Sequence, residues 1–269
     1  KAAKEMAERV QALTGEAGSE AWISTFHACC ARILRRDIEK LGYKRQFAIY
    51  DEDDRMSVIK AVLKELNLGD KEYPPKAVKA AISDAKNRML SPDEEQEVQE
   101  GWLRDAGDDF RNRKYYEAYR LYERTLRGNN ALDFDDLLVK TLELLAEQPP
   151  VLEYYQNRFD YILVDEYQDT NRAQYELVRL LTGKKRNLCV VGDDDQSIYG
   201  WRGADIRNIL DFEKDFPDAK VVKLEQNYRS TGNILDAANQ VIAHNQGRKE
   251  KALWTQAGEG EKIALYHAL

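Results

Sequence analysis

The second half of the sequence alternates between short apolar runs and helical patterns. The runs, rich in β-branched residues, are YILVDE (161–166), NLCVVGD (187–193) and AKVVKLE (219–225). Segments with helical periodicity follow at 171–181, 206–212 and 233–244. This alternation predicts an α/β fold, with a parallel sheet covered by helices on both faces. Ligands of such sheets bind at the carboxyl ends of the strands, so the loops after the runs are the first place to look for function.

The preceding region, about 51–148, has a helical pattern throughout. Apolar residues recur at helical spacing from Met56 to Leu66, and the segment SPDE at 91–94 predicts a helix start with a capping box. An aromatic stripe, which we expect to lie in a core, consists of Tyr115, Tyr116, Tyr119 and Tyr122. Because this region separates two α/β stretches, it is interpreted as an all-helical subdomain inserted into one α/β domain.

The two ends of the chain carry weaker patterns. Residues 1–12 predict a charged amphipathic helix without the apolar core of a signal peptide, and 21–24 predict a short strand that runs into a helix. The sequence has no initiating Met, so we expect it to begin within a domain. The final residues, 262–269, have the pattern of a strand.

Composition narrows the class of protein. A chain of 269 residues can bury one sizeable core, or one core and a smaller domain. The net charge of −7 argues against coating nucleic acid by bulk charge but leaves room for a local groove. No apolar run approaches the roughly 20 residues of a membrane helix. The three cysteines lack metal-ligand spacing, which excludes an obvious zinc site and favours a reducing, cytoplasmic location, with Cys189 expected to be a buried apolar residue.

The first run ends in two acids, Asp165 and Glu166. An Asp at a strand end beside a phosphate can hold Mg²⁺ directly or through water. The next residue, Glu166, points to the other side of the strand, where it can orient and activate an attacking water. The pair is therefore typical of ATP hydrolysis, although many strands end in solvated acids that have no such role.

The second run leads into a loop that carries Gln196, Tyr199 and Trp201. A glutamine amide there can hydrogen-bond a γ-phosphate or the attacking water. Aromatic rings in the same loop can stack on unpaired bases, at about 1–3 kcal/mol per base. A lone Trp is more often packed in a core, but the flanking Gly200 and Arg202 favour an exposed loop.

Longer segments around these residues resemble the UvrD/PcrA/Rep branch of superfamily 1 DNA helicases. The matching segments, in the order of that family, are KAAKEM (1–6), STFH (24–27), LDFDDL (132–137), DEYQDTN (165–171), GDDDQSIYGWRGA (192–204) and LEQNYRS (224–230). They span nearly the whole chain, and agreement in order makes coincidence a poor explanation.

The resemblance implies a RecA-like P-loop NTPase motor. On that pattern, residues 1–50 and 132–228 belong to the first motor domain, 51–131 to the helical subdomain, and 229–269 to the start of the second motor domain. The family uses ATP and Mg²⁺, moves 3′→5′ on single-stranded DNA, acts at junctions of single- and double-stranded DNA, and serves DNA repair or replication. No membrane is involved, and accessory proteins are not specified.

The resemblance also implies residue roles. Gln196 senses the γ-phosphate, Arg229 reaches that phosphate from the second motor domain, and Tyr228 stacks on adenine. The residues implied to contact DNA are Thr25, His27, Phe134, Tyr199, Trp201 and Arg202.

Plainer interpretations of three of these residues stay open. Arg229 would also suit a surface ion pair, His27 a helix start without a ligand, and Phe134 a core position. Asp133, Asp135 and Asp136 are close enough to suggest a metal, but a helix cap followed by first-turn acids is favoured.

The pattern G-x-x-x-x-G-K-[ST] is absent from this sequence, as are the family's motifs V and VI. ATP phosphates would then lack their backbone cradle and lysine, so we expect this chain by itself to have very weak or no ATPase activity. We also expect an exposed sheet edge next to the strand that ends at Asp165.

Two other readings remain open from the sequence. One is the helicase part of a RecB/AddA-like nuclease, whose nuclease motifs would lie outside this chain. The other is a non-catalytic module that binds single-stranded DNA through the aromatic loop. Simple binding, however, has no need of Asp165, Glu166, Gln196 and Arg229.

Overall fold

The computed structural model describes residues 1–92, 110–200, 203–245, 247–249 and 251–266. Its helices are α1 Ala2–Thr14, α2 Phe26–Asp37, α3 Glu52–Glu65, α4 Pro75–Asn87, α5 Phe110–Gly128, α6 Phe134–Glu147, α7 Pro149–Arg158, α8 Arg172–Thr182, α9 Arg207–Leu210, α10 Phe212–Asp215 and α11 Gly232–Ile242. Its strands are β1 Ala48–Ile49, β2 Ala131–Leu132, β3 Ile162–Val164 and β4 Leu188–Val190. Short 3₁₀ turns occupy Gly15–Glu20, Ile38–Leu41, Tyr167–Asp169 and Asp194–Gln196.

The chain divides into two compact units. The first consists of Lys1–Leu163 and Asn171–Cys189, and the second of Val164–Thr170 and Val190–Leu269. The four-part domain division expected from the sequence stays a prediction. No helix in the described part of the chain is both long and apolar enough to cross a membrane.

One core of the first unit surrounds α6. This helix is apolar around most of its circumference, so α2, α7 and α8 all pack against it. The core side chains include Cys30, Ile33, Leu34, Leu138, Leu142, Leu145, Tyr155 and Leu177. Burial raises the pKa of the Cys30 thiol to about 12, so this cysteine is a packing residue.

A second core lies among α3, α4 and α5. Its side chains include Ile59, Val62, Leu63, Val78, Ile82, Tyr116, Tyr119 and Tyr122. The prediction that the tyrosine stripe is a core feature is confirmed for these three rings, while Tyr115 is half-buried with its ring edge-on to Tyr73 at 5.9 Å. The helix start predicted at 91–94 falls largely outside the described residues.

Capping boxes fix the starts of α3, α6 and α8. The side chains of Asp51, Asp133 and Asn171 each accept the backbone N–H three residues later, and the backbone N–H of each cap residue donates to that later residue's side chain. Pro149 and Pro150 end the helical pattern of α6 as expected, but they also open α7, because proline suits the first turn of a helix. The sequence analysis did not predict α7.

The strands form two parallel pairs. β1 pairs with β2, Ala48 opposite Ala131 and Ile49 opposite Leu132, so the two ends of the helical region lie side by side. β3 pairs with β4: Ile162 N donates to Asn187 O at 2.9 Å and Val191 N to Val164 O at 2.8 Å. The residue numbers of the hydrogen-bonded partners increase together along the two strands, so this pair is parallel.

Only one face of the β3–β4 pair is covered, contrary to the expectation of helices on both. Leu163 and Cys189 are neighbours in this register and both are exposed, with 76% of Leu163 accessible. The expectation that Cys189 is buried is therefore wrong, because its face of the sheet has no layer against it among the described residues. Among the described residues this sheet consists of β3 and β4 alone, and the expectation of an open edge next to β3 stays a prediction.

Three other predicted strands do not form among the described residues. Residues 219–225 are extended coil with Val222 and Leu224 exposed, and the chain pairs only just beyond, where Gln226 bridges to Trp254. Residues 21–24 and 262–266 are likewise coil. β-Branched composition favours an extended backbone, but a strand also needs a neighbouring backbone to pair with.

Candidate nucleotide site and DNA-contact residues

The end of β3 carries the predicted acidic pair on a sharply bent backbone. Glu166 adopts a left-handed conformation, with φ 52° and ψ 42°, and Asp165 Oδ1 accepts its N–H at 3.0 Å. Such a conformation is uncommon for a residue with a side chain and costs about 1–3 kcal/mol, so it persists only where the surroundings hold it. Both side chains are exposed.

A buried glutamine follows the acidic pair. Gln168 is 1% exposed, yet both ends of its amide are used. Its Nε2 donates to Glu166 Oε2 at 2.8 Å, and its Oε1 accepts from the backbone N–H of Asp193 at 3.0 Å. The end of β3 is thereby joined to the loop that follows β4.

That loop carries Gln196, which lies in the 3₁₀ turn Asp194–Gln196. Asp193 caps this turn by accepting Asp195 N at 3.0 Å, and Gln196 Nε2 donates to Asp193 Oδ2 at 2.7 Å. The second unit therefore brings Glu166 and Gln196 into one hydrogen-bonded path through Gln168 and Asp193. The side chain of Gln196 itself is exposed.

The carboxylates of Asp193, Asp194 and Asp195 lie within 4.8 Å of one another, the only such group found among the described residues. Cations of the chain already occupy their surroundings. Lys251 contacts all three, and Arg248 makes two hydrogen bonds to Asp195 at 2.9 and 2.6 Å. The bond from Arg248 lowers the pKa of Asp195. We interpret the group as an ion-pair cluster that anchors the Gln196 loop, rather than as a metal site.

Tyr228 and Arg229 lie on an exposed loop of the second unit. Asn227 Oδ1 accepts the N–H groups of Arg229 and Ser230 at 2.9 and 2.8 Å, and Tyr228 Oη donates to Gln226 Oε1 at 2.9 Å. Both side chains project into solvent, with 84% of Tyr228 accessible. The structure shows no hydrogen bond or ion pair that joins Arg229 to Asp165, Glu166 or Gln196.

The aromatic loop is described only in part. Tyr199 is exposed, as the sequence predicted, while Trp201 and Arg202 lie outside the described residues. Gly200 O accepts the N–H of Gly203 at 3.0 Å.

In the first unit, three predicted DNA-contact residues meet at two helix starts. Thr25 caps α2 by accepting Ala28 N at 3.3 Å, and the ring of His27 lies edge-on to Phe134 at 6.0 Å. Phe134 is 48% exposed, so it is not a core residue. Burial lowers the pKa of His27, an effect that Asp135 opposes, so the ring is mainly neutral at pH 7.

The acids beside Phe134 belong to a buried charge network and not to a metal site. The Lys86 ammonium, fully buried, lies 3.0 Å from Asp133 and 2.6 Å from Asp136, and Tyr122 Oη donates to Asp133 at 2.9 Å. Burial would raise the pKa of Asp133, but Lys86 and Arg55 bring it down to about 2. The prediction that Asp133 caps a helix is confirmed.

Sequence reasoning missed two of these features. The position of Lys86 on the apolar face of α4, four residues after Ile82, was a usable signal of a buried charge. Gln168 gave only a weak signal, a polar residue shortly after a buried strand. Its partner Asp193 is 25 residues away in sequence, and no local pattern identifies such a pair.

Two family models match the chain. The UvrD/REP helicase N-terminal domain matches residues 1–217, and the UvrD-like helicase C-terminal domain matches residues 222–269. Relatives include the ATP-dependent DNA helicases PcrA of Staphylococcus epidermidis and Staphylococcus aureus, each 54% identical over all 269 residues. The chain spans 36% of the length of these relatives. The family model that covers most of the chain and the relatives at 54% identity indicate the same family. The chain belongs to the UvrD/REP helicase family.

Proposed function

We propose that the chain is a large internal part of an ATP-dependent DNA helicase that moves 3′→5′ on single-stranded DNA and unwinds duplex DNA in repair or replication. The observation that most supports this is the path from the Glu166 carboxylate through the Gln168 amide to the loop of Gln196. A connection between an acid that activates water and a loop that senses phosphate is useful to a protein that cleaves a phosphate bond. The name of the PcrA relatives, ATP-dependent DNA helicase, supports the same activity.

In this proposal the acidic pair divides the chemistry of hydrolysis. Asp165 would hold Mg²⁺, and Glu166 orients and deprotonates the attacking water, a role worth about 10²–10⁴ in rate. Gln196 hydrogen-bonds the γ-phosphate or that water and so registers whether the bond is intact. Arg229 supplies a permanent cation to the γ-phosphate, worth about 10³–10⁵ in rate, and Tyr228 stacks on adenine.

The residues around Asp165 fit Mg²⁺ bound together with a nucleotide. Mg²⁺ is usually held by one or two carboxylates plus phosphate oxygens and water, and here one exposed carboxylate stands at the strand end. Bound Mg²⁺ would neutralise part of the charge on the phosphates. ATP and Mg²⁺ are therefore the cofactors we assign.

Single-stranded DNA is the proposed track, with junctions of single- and double-stranded DNA as the substrate for unwinding. Thr25 and the neutral ring of His27 offer hydrogen bonds to a phosphate backbone, and the exposed Phe134 offers a face to a base. Tyr199, Trp201 and Arg202 would bind a base in the loop that also carries Gln196. Coupling then follows because phosphate sensing and base binding share one loop.

The two other readings find less support. Relatives at 54% identity over the whole chain are PcrA helicases, which disfavours a RecB/AddA-like nuclease. A passive DNA-binding module would gain nothing from the left-handed backbone at Glu166 or from the buried amide that holds its carboxylate.

The proposal is tested by Glu166→Gln in the full-length protein. We expect the kcat of DNA-stimulated ATP hydrolysis to fall about 10²–10⁴-fold, because the amide cannot accept a proton, while single-stranded DNA is still bound. Glu153→Gln, which changes an exposed acid on α7, serves as the matched control and should leave kcat unchanged. Wild-type turnover in Glu166→Gln would show that the proposal is wrong.

A further inference from the structure

The side chain of Gln168 is fixed by hydrogen bonds at both ends of its amide as well as by packing. The side chain is buried, and each end of the amide meets a partner that only one orientation satisfies. A carboxylate can only accept, so Nε2 must face Glu166, and a backbone N–H can only donate, so Oε1 must face Asp193. The carbonyl of the same residue accepts Ser197 Oγ at 3.3 Å.

The surroundings are shaped to accept this amide. Gly192 lies directly beside it, and a Cβ at that position would come within 2.5 Å of Gln168 Oε1 and 3.2 Å of Tyr167 N. Tyr167 N also donates to Val191 O at 2.9 Å, which fixes the two backbones next to the amide. Movement of the loop at Asp193 must therefore either carry the amide with it or break a hydrogen bond.

The two contacts of the amide have different consequences. The bond to Glu166 restricts the rotation of an otherwise exposed carboxylate and so directs one of its oxygens. The bond to Asp193 connects the orientation of the Glu166 carboxylate to Asp193, whose side chain accepts a hydrogen bond from Gln196. A hydrogen bond to a charged group is stronger than one between neutral groups, and it is sufficient to favour one orientation of the carboxylate.

We propose that Gln168 is a positioning residue that ties the orientation of the Glu166 carboxylate to the position of the Gln196 loop, so that water activation and phosphate sensing change together. The inference rests on the proposed ATP hydrolysis. It adds that the coupling passes through one side-chain amide, and that Gln168 acts through Glu166 without touching the nucleotide.

The test compares Gln168→Met with wild type in the full-length protein, because Met keeps the volume and removes both hydrogen bonds. With single-stranded DNA present, we expect kcat for ATP to fall about 10- to 100-fold, as expected for one lost charge-assisted bond, with KM for ATP near wild type. Gln156→Met is the matched control: that amide donates to the backbone oxygen of Leu180 at 2.7 Å and to no catalytic group. It should leave kcat unchanged.

A double variant separates a positioning role from a structural one. If Gln168 acts through Glu166, adding Gln168→Met to Glu166→Gln should leave the single-turnover cleavage rate at that of Glu166→Gln by itself. A further loss in the double variant, or wild-type kcat in a folded Gln168→Met protein, would overturn the inference while Glu166→Gln still supports the proposed function. Wild-type cleavage by Glu166→Gln would overturn both.

Discussion

Glu166 is the residue at which backbone strain and proposed chemistry coincide. Among the described residues it is one of five non-glycine positions with positive φ, and it stands between β3 and the 3₁₀ turn Tyr167–Asp169. The left-handed conformation turns the backbone directly after the Asp165 strand end, and the side chains of both acids are exposed there. Asp165 and Gln168 both bond to Glu166, which explains how the strain is held.

Gly192→Ala tests the packing around this residue. The new methyl group would lie 2.5 Å from Gln168 Oε1, so the amide must move and its bond to Asp193 N must lengthen or break. We expect DNA-stimulated kcat in the full-length protein to fall about two- to tenfold, since a lost hydrogen bond between neutral groups is worth about 0.5–1.5 kcal/mol. Steady-state ATPase kinetics measure the effect.

Gly69→Ala is the control for that substitution, because a Cβ at position 69 meets no atom within 4 Å and the backbone there does not require glycine. Activity equal to wild type in both variants would show that the close approach at Gly192 has no bearing on catalysis.

At the scale of single residues the sequence was informative only where the signal is local. The acidic pair was identified because it ends an apolar run, and Gln196 because it lies in the loop that follows the next run. The contact between Gln168 and Asp193 depends on how two strands pair, and the exposure of Cys189 depends on which face of the sheet is covered. Neither can be obtained from neighbouring residues.

At the scale of elements, α4 and α6 are joined by buried charge. The Lys86 ammonium reaches Asp133 and Asp136 at the start of α6, and Glu123 of α5 at 2.5 Å. Burial by itself would lower the pKa of Lys86, but the nearby carboxylates raise it well above its usual value, so the charge persists. The network fixes the start of α6, where Phe134 is exposed.

Lys86→Met should destabilise the chain strongly. The substitution removes the cation that the three carboxylates contact. Breaking a buried ion pair by removing one partner costs about 3–5 kcal/mol. The free energy of unfolding of the 269-residue chain in urea measures this loss.

Lys79→Met provides the comparison on the same helix. Lys79 pairs with Glu52, whose side chain is 61% exposed, so its loss should cost less than about 1 kcal/mol. Similar small losses for both lysines would contradict the view that Lys86 holds α4 to α6.

Helices with a long periodic pattern were predicted correctly. The failures were strands, whose formation depends on pairing with another segment. The helices α3, α4, α6 and α8 were predicted from the helical patterns at about 51–148 and at 171–181, and the helix cap at Asp133 was predicted as well. Residues 219–225 have strand composition, yet they are coil, and pairing begins only at their end, where Glu225 O accepts the N–H of Trp254 at 3.0 Å.

At the scale of the whole molecule, this sequence carries the acidic pair and the Gln196 loop but no phosphate-binding loop pattern. We therefore predict that the purified 269-residue chain shows no DNA-stimulated ATP hydrolysis above its own Glu166→Gln variant, because the phosphates lack a backbone cradle and lysine. A phosphate-release assay checks this. Robust turnover that Glu166→Gln abolishes would show that the chain is sufficient for catalysis.

The central claim is that cleavage of ATP is sensed by Gln196 in the same loop that binds single-stranded DNA. The most direct test is the ratio of ATP hydrolysis with and without single-stranded DNA, measured for Gln196→Ala in the full-length protein. The exposed Gln240→Ala on α11 is the control. We predict that Gln196→Ala still binds DNA and nucleotide but loses the stimulation, with a ratio near one. A stimulation equal to that of wild type would contradict the claim.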